Sequence, residues 1–360
     1  MIKLILTFAF IFGLLYPHVC FAQDYRNGLI KEDMRSLQYS FPIAKGWSFE
    51  KLASALLYAE EAGSSAVVVL HKGRSVLEWG KTTLRVNSHS VRKSLLSALY
   101  GIAVDRNLID LSSTLAEICI DDRPPCLTAE EKKATVADLL KARSGVFHEA
   151  AGEIEYMKRR RPSRGAFAPG EHWYYNNWDF NALGTIFERK TNLIIGHAFK
   201  EWIADAIGMQ DFKPEDVHYL WNPVSIHPAY PFWISARDLA RFGQLYLQEG
   251  RWNNTQVIPA AWVHESTVSY SKTSNGGYGY MWWTHPSGAY YADGYMGQKL
   301  LVIPSSQLVI VNRVFSGTPS LVHIPSDVLK ELRPLVDPVN NLEFRRLVDL
   351  IIEAAPPEYH

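Results

Sequence analysis

The chain has 360 residues, of which 47% are hydrophobic and 21% are charged, a composition that excludes a mainly disordered chain and leaves room for two domains or one large composite domain. Lysine plus arginine number 37, and so do aspartate plus glutamate. Because no net field attracts nucleic acid or an anionic membrane, we expect a small or neutral partner and no nucleic acid. The one charge run, KRRRPSR at 158–164, is interpreted as a solvated loop in preference to an anion-binding patch.

Residues 1–22 predict a secretory signal peptide. Lys3 precedes an apolar run that ends at Tyr16, and Ala22 provides a small residue for cleavage. The run is shorter than the roughly 20 residues of a membrane-spanning helix. We therefore expect cleavage after Ala22, no stable membrane insertion, and a secreted or periplasmic mature chain of residues 23–360.

The mature chain keeps two cysteines, Cys119 and Cys126, which flank the sequence IDDRPP. In an exported protein this spacing can close a short loop, so a disulfide is favoured over two free thiols. No CxxC pair or cysteine–histidine cluster indicates a metal site. We expect no metal and no organic cofactor.

Strand patterns occur near both ends of the mature chain, and helical patterns lie between them. Residues 64–80 form two β-rich runs around the turn HKGR, which predicts a hairpin, and more strand patterns follow residue 276. Five stretches have the apolar spacing of helices: SVRKSLLSALYGIAVDRN, ATVADLLKARSG, NALGTIFERKTN, IIGHAFKEWIADAIG and ISARDLARFGQLYLQEG. The simplest fold is α/β (α+β), with a sheet built from about 40–89 and 276–360 and a mainly helical region inserted at about 90–275.

Ser90 and Lys93 stand three residues apart at the start of the first predicted helix. Positions i and i+3 share a helix face, with Cβ atoms about 5–6 Å apart, so the amine can reach the hydroxyl. A lysine at its ordinary pKa of about 10.4 is protonated, but burial or a nearby cation lowers that pKa, and the neutral amine can take the serine proton. The helix N-terminus also directs unpaired N–H groups toward developing negative charge.

The same spacing occurs at Ser269 and Lys272, in a polar stretch with no apolar helix behind it. A structural serine is the commoner explanation of this pattern alone, so Ser90 needs support from other motifs. No G-x-S-x-G nucleophile elbow is present, which argues against an α/β-hydrolase.

Two later stretches contain groups that acyl transfer needs. Tyr175 and Asn177 precede a predicted helix, where a phenol and an amide suit proton transfer and substrate orientation; a capped turn is the structural alternative. Gly294 lies in a strand pattern, where glycine marks close approach by a ligand or a bulge. The N–H of Tyr295 is a candidate donor, together with that of Ser90, to an oxyanion.

Six stretches taken in order resemble the penicillin-recognising serine hydrolases: SVRKS, LLKARSGV, PGEHWYYNNWDFNALG, ISARDLARFGQLYLQEGRWNNTQVIPAAWV, YGYMWW and GYMGQKLLVIP. That superfamily includes class C β-lactamases, D-alanyl-D-alanine peptidases, family VIII carboxylesterases and 6-aminohexanoate-dimer hydrolase. The resemblance covers most of the mature chain. It implies a β-lactamase/transpeptidase-like fold, with an antiparallel sheet flanked by helices, and a serine hydrolase that forms an acyl-enzyme without a cofactor.

The resemblance also implies roles for single residues. Ser90 matches the acylated nucleophile, and Lys93 matches its base. Tyr175 matches the tyrosine that shuttles a proton to and from the leaving group, and Asn177 matches the neighbouring amide. The family's third motif is usually K-T-G or H-x-G, whereas this chain has Ala292-Asp293-Gly294. Because the cation that helps hold a substrate carboxylate is missing, we expect small esters or amides without that carboxylate, as in the esterase and 6-aminohexanoate-dimer branch.

Two alternatives stay open. A β-lactamase or D-alanyl-D-alanine carboxypeptidase would use the same Ser90, Lys93 and Tyr175 on a charged substrate. A penicillin-fold protein that binds a peptide or envelope ligand without turnover has no need to keep all three groups. The sequence pattern specifies no oligomeric state.

Overall fold

The computed structural model describes residues 46–274, 276–317 and 339–357, all within the unit Leu37–His360. The predicted signal peptide lies outside these residues, and no helix among them has the length and apolarity needed to span a bilayer. The helices are α1 (Phe49–Glu61), α2 (Arg92–Asp105), α3 (Val136–Leu140), α4 (Glu155–Arg160), α5 (Asn177–Thr191), α6 (Ile195–Phe199), α7 (Ala236–Leu247), α8 (Ala260–Thr267) and α9 (Asn341–Glu353). The strands are β1 (Ala66–His71), β2 (Arg74–Gly80), β3 (Val86–Asn87), β4 (Leu220–Asn222), β5 (Ser225–Ala229), β6 (Trp233–Ile234), β7 (Arg251–Trp252), β8 (Thr255–Gln256), β9 (Ser271–Thr273), β10 (Gly276–Tyr278), β11 (Trp283–Thr284), β12 (Tyr290–Gly294), β13 (Gln298–Ile303) and β14 (Leu308–Arg313).

The large sheet is antiparallel and joins strands from both ends of the described chain. Its strand order is β2-β1-β14-β13-β12-β11-β10-β9. β1 pairs along its whole length with β14, from Ala66 opposite Arg313 to His71 opposite Leu308. The predicted fold class, a sheet from both chain ends with helices inserted between, is therefore confirmed.

β1 and β2 form the hairpin predicted at residues 64–80. Lys72 and Gly73 at its turn have positive φ angles of 51° and 76°. Two successive positive φ angles give a two-residue turn the twist of the flanking strands, and glycine adopts such a conformation without steric cost. The Lys-Gly pair of HKGR therefore determines where the chain reverses.

The continuous apolar sequence of β1 reflects burial on both faces. Successive side chains of a strand point to opposite faces. Val68 and Leu70 belong to the core cluster formed with α2, α5 and α7, whereas Val67 and Val69 pack with α1 and α9. The sheet therefore lies between two helical layers, and the two terminal helices cover the face opposite the inserted helical region.

The inserted region is mainly helical, as predicted, but its described strands also pair in twos: β4 with β5, β7 with β8, and β6 with β3, which lies just before the region. The C-terminal part of the large sheet begins a few residues before the expected residue 276, because β9 at Ser271–Thr273 forms the edge of the sheet. The second Ser-x-x-Lys pattern overlaps β9, where Lys272 is exposed, and no helix carries it. All of these strands except β5 have only two or three residues, which are too few to show an alternating pattern in sequence.

The expected disulfide between Cys119 and Cys126 is wrong, because both residues are free, exposed thiols. Polar contacts close the loop between them instead. Asp121 Oδ1 accepts a hydrogen bond from the N–H of Leu127 at 2.8 Å, and Arg164 Nη2 donates to the carbonyl of Cys126 at 2.9 Å. Spacing in sequence does not determine the distance between two thiols, which a disulfide requires to be short.

Two arginines of the basic run at 158–164 form ion pairs with glutamates elsewhere in the chain. Arg161 forms an ion pair with Glu153 at 2.6 Å, and Arg164 forms one with Glu131 at 2.5 Å. Both glutamates are almost fully buried. The interpretation as a solvated loop therefore fails for these two arginines, which connect the segment to its neighbours.

Candidate active site

Ser90 lies in a short 3-10 turn, His89–Val91, that leads directly into α2. The α-helix begins at Arg92, so this tighter turn replaces the helix start expected at or before Ser90. His89 has a φ of 47°, in the left-handed region that non-glycine residues rarely adopt, and its N–H donates to Asn87 Oδ1 at 2.8 Å. The serine is partly exposed and is held beside a backbone conformation that costs free energy.

Lys93 sits in the first turn of α2 with only 2% of its surface exposed. Its Nζ lies 2.8 Å from Ser90 Oγ, because side chains three residues apart come into line on a 3-10 turn. The nitrogen is also 4.7 Å from the ring centre of Tyr175 and 4.9 Å from that of Phe180. Burial lowers the pKa of Lys93 well below its usual value, and the charge of Arg92 lowers it further. This environment favours the neutral amine, which can accept a proton.

Tyr175 lies beside Lys93 and interacts with Ser90, so the three predicted catalytic side chains come together. Burial raises the pKa of the Tyr175 phenol above its ordinary value, and the nearby Ser90 hydroxyl opposes this shift only in part. A phenol with a raised pKa keeps its proton at neutral pH. The geometry therefore combines a hydroxyl, an amine able to accept a proton and a phenol able to donate one.

A buried polar network holds the segment that carries Tyr175. Asn176 caps α5 by accepting the N–H of Trp178 at 3.2 Å, and its Nδ2 donates to Asp179 Oδ1 at 2.9 Å. Ser144 Oγ donates to the same carboxyl oxygen at 2.5 Å. Sequence reasoning missed these supports of the site, although asparagine before a helix is a recognised capping signal.

Asn177 is the first residue of α5 and not its cap. Its Nδ2 donates to the carbonyl oxygen of Gly152 at 2.9 Å and lies 3.8 Å from Met157 Sδ, and it forms no hydrogen bond with Ser90 or Lys93. Its buried Oδ1 has no hydrogen-bond partner among the described residues. An unsatisfied buried oxygen costs about 1–3 kcal/mol, so this atom has unused capacity to accept a hydrogen bond from a bound molecule.

β12 passes close to the turn that carries Ser90, and Gly294 makes this approach possible. A Cβ on Gly294 would lie 2.4 Å from the carbonyl oxygen of Ser88 and 3.3 Å from Val91 Cγ2. The chain's own backbone therefore requires glycine here. Tyr295, the next residue, is half exposed, and its ring meets that of His89 edge-on at 5.7 Å.

Ala292 lies where the sequence resemblance places a cation. It is 1% exposed and faces the helical core, on the same side of β12 as Gly294. Asp293 projects to the other side, where its Oδ1 lies 2.5 Å from Lys299 Nζ. Lys299 Nζ also donates to Asn341 Oδ1 at the start of α9. The alternation of side chains along β12 therefore directs the acidic charge into an ion pair on the terminal-helix side.

Aromatic rings surround Tyr175. Trp283 stacks on it with centroids 5.5 Å apart, and Tyr278 meets it edge-on at 6.0 Å. Trp283 also stacks with Tyr291 at 6.2 Å and contacts Trp173 edge-on at 6.0 Å. Because Trp283 and Tyr291 are only partly buried, an uncharged aromatic surface extends from Tyr175 toward solvent and suits an apolar part of a ligand.

No group of three or more histidine, cysteine, aspartate or glutamate side chains within the described residues is arranged to hold a metal ion. The polar groups of the site are instead a hydroxyl, an amine, a phenol and an amide. A nucleophile with an adjacent proton acceptor and proton donor is the arrangement needed for covalent acyl transfer.

The family model described as Beta-lactamase matches residues 49–319 of this chain. An uncharacterized protein of Alkalihalophilus pseudofirmus is 22% identical over 318 residues, which cover 75% of this chain and 89% of that protein. The family match spans the segments that carry the candidate site, from the turn before α2 to β12.

Solved structures with the same fold include hydrolases. A protein from Bacillus anthracis assigned as a 6-aminohexanoate-dimer hydrolase has a TM-score of 0.60 and 18% identity, over 88% of this chain and 86% of that one. A family VIII carboxylesterase has a TM-score of 0.61 and 15% identity, over 85% and 97%. A penicillin-binding protein homologue from Caulobacter crescentus has a TM-score of 0.55 and 14% identity, over 76% and 94%.

Proposed function

This chain belongs to the β-lactamase family and is a serine hydrolase of that fold, and we propose that it cleaves ester or amide bonds of small substrates through an acyl-enzyme on Ser90. The observation that carries the proposal is the position of the buried Lys93 amine, 2.8 Å from Ser90 Oγ and 4.7 Å from the ring centre of Tyr175. Nucleophile, base and proton donor are thus within mutual reach.

In the acylation step, Lys93 Nζ takes the proton of Ser90 while Oγ bonds to the substrate carbonyl carbon. The N–H groups of Ser90 and Tyr295 stabilise the oxygen of the tetrahedral intermediate, and each such donor is typically worth about 2.7–4 kcal/mol. Tyr175 gives its proton to the leaving alcohol or amine as the C–O or C–N bond breaks, and Lys93 returns a proton to Tyr175. The acyl group remains on Ser90.

Deacylation uses the same groups in reverse. A water molecule attacks the acyl carbon, and Tyr175 takes the water proton while its own phenol proton passes to the neutral Lys93 amine. The bond to Ser90 Oγ then breaks, and Lys93 returns a proton to the serine. The acid product leaves, and the neutral amine and neutral phenol are restored.

We propose that the substrate lacks the carboxylate that β-lactams and cell-wall peptides carry. Ala292 supplies no charge to hold such a group, and Asp293 is already paired with Lys299. The aromatic surface at Trp283 favours an apolar portion of the substrate. The unpartnered Oδ1 of Asn177 is proposed to accept a hydrogen bond from the substrate, such as from an amide N–H.

We also propose that the protein is exported and cleaved after Ala22, on the basis of residues 1–22. Expression with its own N-terminus, followed by intact mass measurement of the extracellular or periplasmic fraction, tests this. A mature chain that begins at Gln23 is expected. A full-length chain confined to the cytoplasm would contradict export.

A fluorophosphonate or activated-ester probe tests the proposed nucleophile. We expect the intact mass to rise by one adduct that maps to Ser90, and we expect Ser90→Ala to lose the label. Ser269→Ala, which removes the serine of the second Ser-x-x-Lys pattern, is the matched control and should keep it. A wild type that takes no label, or a label that survives in Ser90→Ala, contradicts the proposal.

Two substrates assayed together test the substrate class. We expect turnover of p-nitrophenyl butyrate to depend on Ser90 and to fall by about 10²–10⁴ in Tyr175→Phe, the usual contribution of a general acid–base group. Nitrocefin should be a poor substrate. Strong nitrocefin turnover would favour the β-lactamase alternative, and equal ester rates for wild type and Ser90→Ala would favour a non-catalytic binding protein.

A further inference from the structure

Arg92 is a buried cation for which the proposed chemistry gives no role. It is the first residue of α2 and is 5% exposed. Its Nη2 donates to Asn181 Oδ1 at 2.8 Å, and its guanidinium carbon lies 4.0 Å from the ring centre of Tyr230. Within the described part of the chain, no carboxylate is within ion-pair distance of Arg92. Buried charges are normally paired, so this positive charge is unusual in being left uncompensated.

The partners of Arg92 are themselves held in place by the protein. Asn181 Nδ2 donates to the carbonyl of Ala151 at 3.0 Å, which turns its Oδ1 toward the guanidinium. The Tyr230 hydroxyl donates to the carbonyl of Phe180 at 3.0 Å, which fixes the ring under Arg92. Both partners are neutral, so they orient the guanidinium without cancelling its charge.

Lys93 is the next residue along the helix and is equally buried. A positive charge nearby disfavours protonation of an amine, and the effect is large where water does not screen it. The charged or titratable groups that act on or contact Lys93 come from α2, the segment before α5 and β12: Arg92, Tyr175 and Asp293. Of these, Arg92 and Asp293 act on Lys93 by charge, with opposite signs, and Asp293 already has Lys299 as its counter-ion.

We propose that Arg92 is a positioning residue whose fixed positive charge keeps Lys93 unprotonated and thereby sets the lower pH limit of activity. The inference rests on the proposed function, in which Lys93 is the base. It goes beyond that function because it assigns the charge state of the base to a residue that touches neither the substrate nor the reacting atoms.

The pH profile of kcat/KM for p-nitrophenyl butyrate tests this role. In Arg92→Met, which removes the charge but keeps an apolar side chain of similar reach, we expect the acid limb to move upward by about one to two pH units. At the pH of the wild-type acid limb, kcat/KM of Arg92→Met should fall about tenfold for each pH unit by which its acid limb has moved. The activity should recover under more alkaline conditions. A purely structural role would instead lower activity to the same extent at every pH.

Two further variants separate charge from shape. Arg92→Lys keeps a cation but loses the planar contact with Asn181, and its acid limb should stay close to that of the wild type. Asn181→Asp keeps Arg92 and gives it a carboxylate partner, so its acid limb should move upward as in Arg92→Met. Thermal unfolding checks that each variant is folded, and Asn181→Asp carries the test if Arg92→Met is not.

The outcomes distinguish this inference from the proposed function. A wild type without Ser90-dependent turnover would contradict the function, and the charge state of Lys93 would then be read directly by NMR titration of ¹³C-labelled lysine. A Lys93 titration whose midpoint moves to higher pH in Arg92→Met would support the inference. A Lys93 titration or an acid limb that moves in neither Arg92→Met nor Asn181→Asp would overturn it.

Discussion

Lys93 and Tyr175 show how burial helps to prepare a base and an acid in the same site. Burial penalises the charged form of any group, so it lowers the pKa of an amine and raises the pKa of a phenol. Both shifts are present here, with burial as the largest cause of each. The apolar rings that pack around the two groups, including Phe180 and Trp283, therefore favour a neutral pair ready to exchange a proton.

Lys93→Met should abolish turnover and make the fold more stable at neutral pH. The folded-state pKa of Lys93 lies well below its unfolded value, so at a pH between the two values folding releases a proton, and this release costs free energy. The cost disappears as the pH rises toward the ordinary lysine pKa of about 10.4. Methionine has no proton to release, and we expect the free energy of unfolding to rise by about 1 kcal/mol at neutral pH.

Urea denaturation at neutral and alkaline pH measures this difference. We expect the gain of Lys93→Met over wild type to shrink as the pH rises. Lys272→Met, on the exposed edge strand β9, is the matched control and should change stability little at either pH. A Lys93→Met variant less stable than wild type at every pH would show that the buried amine contributes favourable packing instead.

At the scale of elements, the site depends on β12 lying directly against the turn before α2. Gly294→Ala would place a Cβ 2.4 Å from the Ser88 carbonyl oxygen, so the strand and the turn must separate. A displacement of about 1 Å at a catalytic group can cost about a hundredfold in rate. We expect kcat/KM of Gly294→Ala to fall by about that factor, measured with the ester substrate.

Gly288→Ala is the matched control for this prediction. Gly288 has a φ of 85°, but a Cβ added there would meet nothing within 4 Å. Its substitution should cost stability through the backbone, by about 1 kcal/mol, and leave kcat/KM unchanged. Full activity in Gly294→Ala would mean that the approach of β12 to the turn does not position Ser90.

The parts of the site that the sequence could predict are those with a local signal. The spacing of Ser90 and Lys93 places them on one face of a helical turn, and the structure brings their side chains to 2.8 Å. Five helices were predicted from apolar spacing, and each is present. The meeting of Tyr175 with this pair depends on packing between distant segments and was predicted only through the resemblance to a known family.

The parts that could not be predicted depend on contacts between distant residues. Ser144 bonds to Asp179 across 35 positions, and Arg92 bonds to Asn181 across 89. Neither pair leaves a periodic pattern in the sequence. The wrong disulfide has the same origin, because the distance between two thiols is set by how their loop packs and not by the number of residues between them.

For the whole molecule, the sheet separates the candidate site from a layer made by the two terminal helices. α1 and α9 are joined where one begins and the other ends: the N–H of Ser48 donates to the carbonyl of Ala354 at 2.8 Å, and Lys51 Nζ donates to the carbonyl of Glu353 at 2.9 Å. These helices cover the face of β1 that bears Val67. Stability contributed by this layer can therefore be changed without touching the groups of the site.

Leu347→Ala tests that separation. Leu347 of α9 is 1% exposed in the cluster under the terminal helices, so its truncation should lower the free energy of unfolding by about 2–5 kcal/mol, as for other buried leucines. Leu342 lies on the same helix but is 74% exposed, and Leu342→Ala should change stability by less than about 0.5 kcal/mol. Urea denaturation measures both.

Well below the unfolding transition, both variants should keep the wild-type kcat and KM for the ester, because the sheet lies between Leu347 and Ser90. A loss of kcat in folded Leu347→Ala would show that the terminal layer also determines the geometry of the site, through the contact of α9 with Lys299.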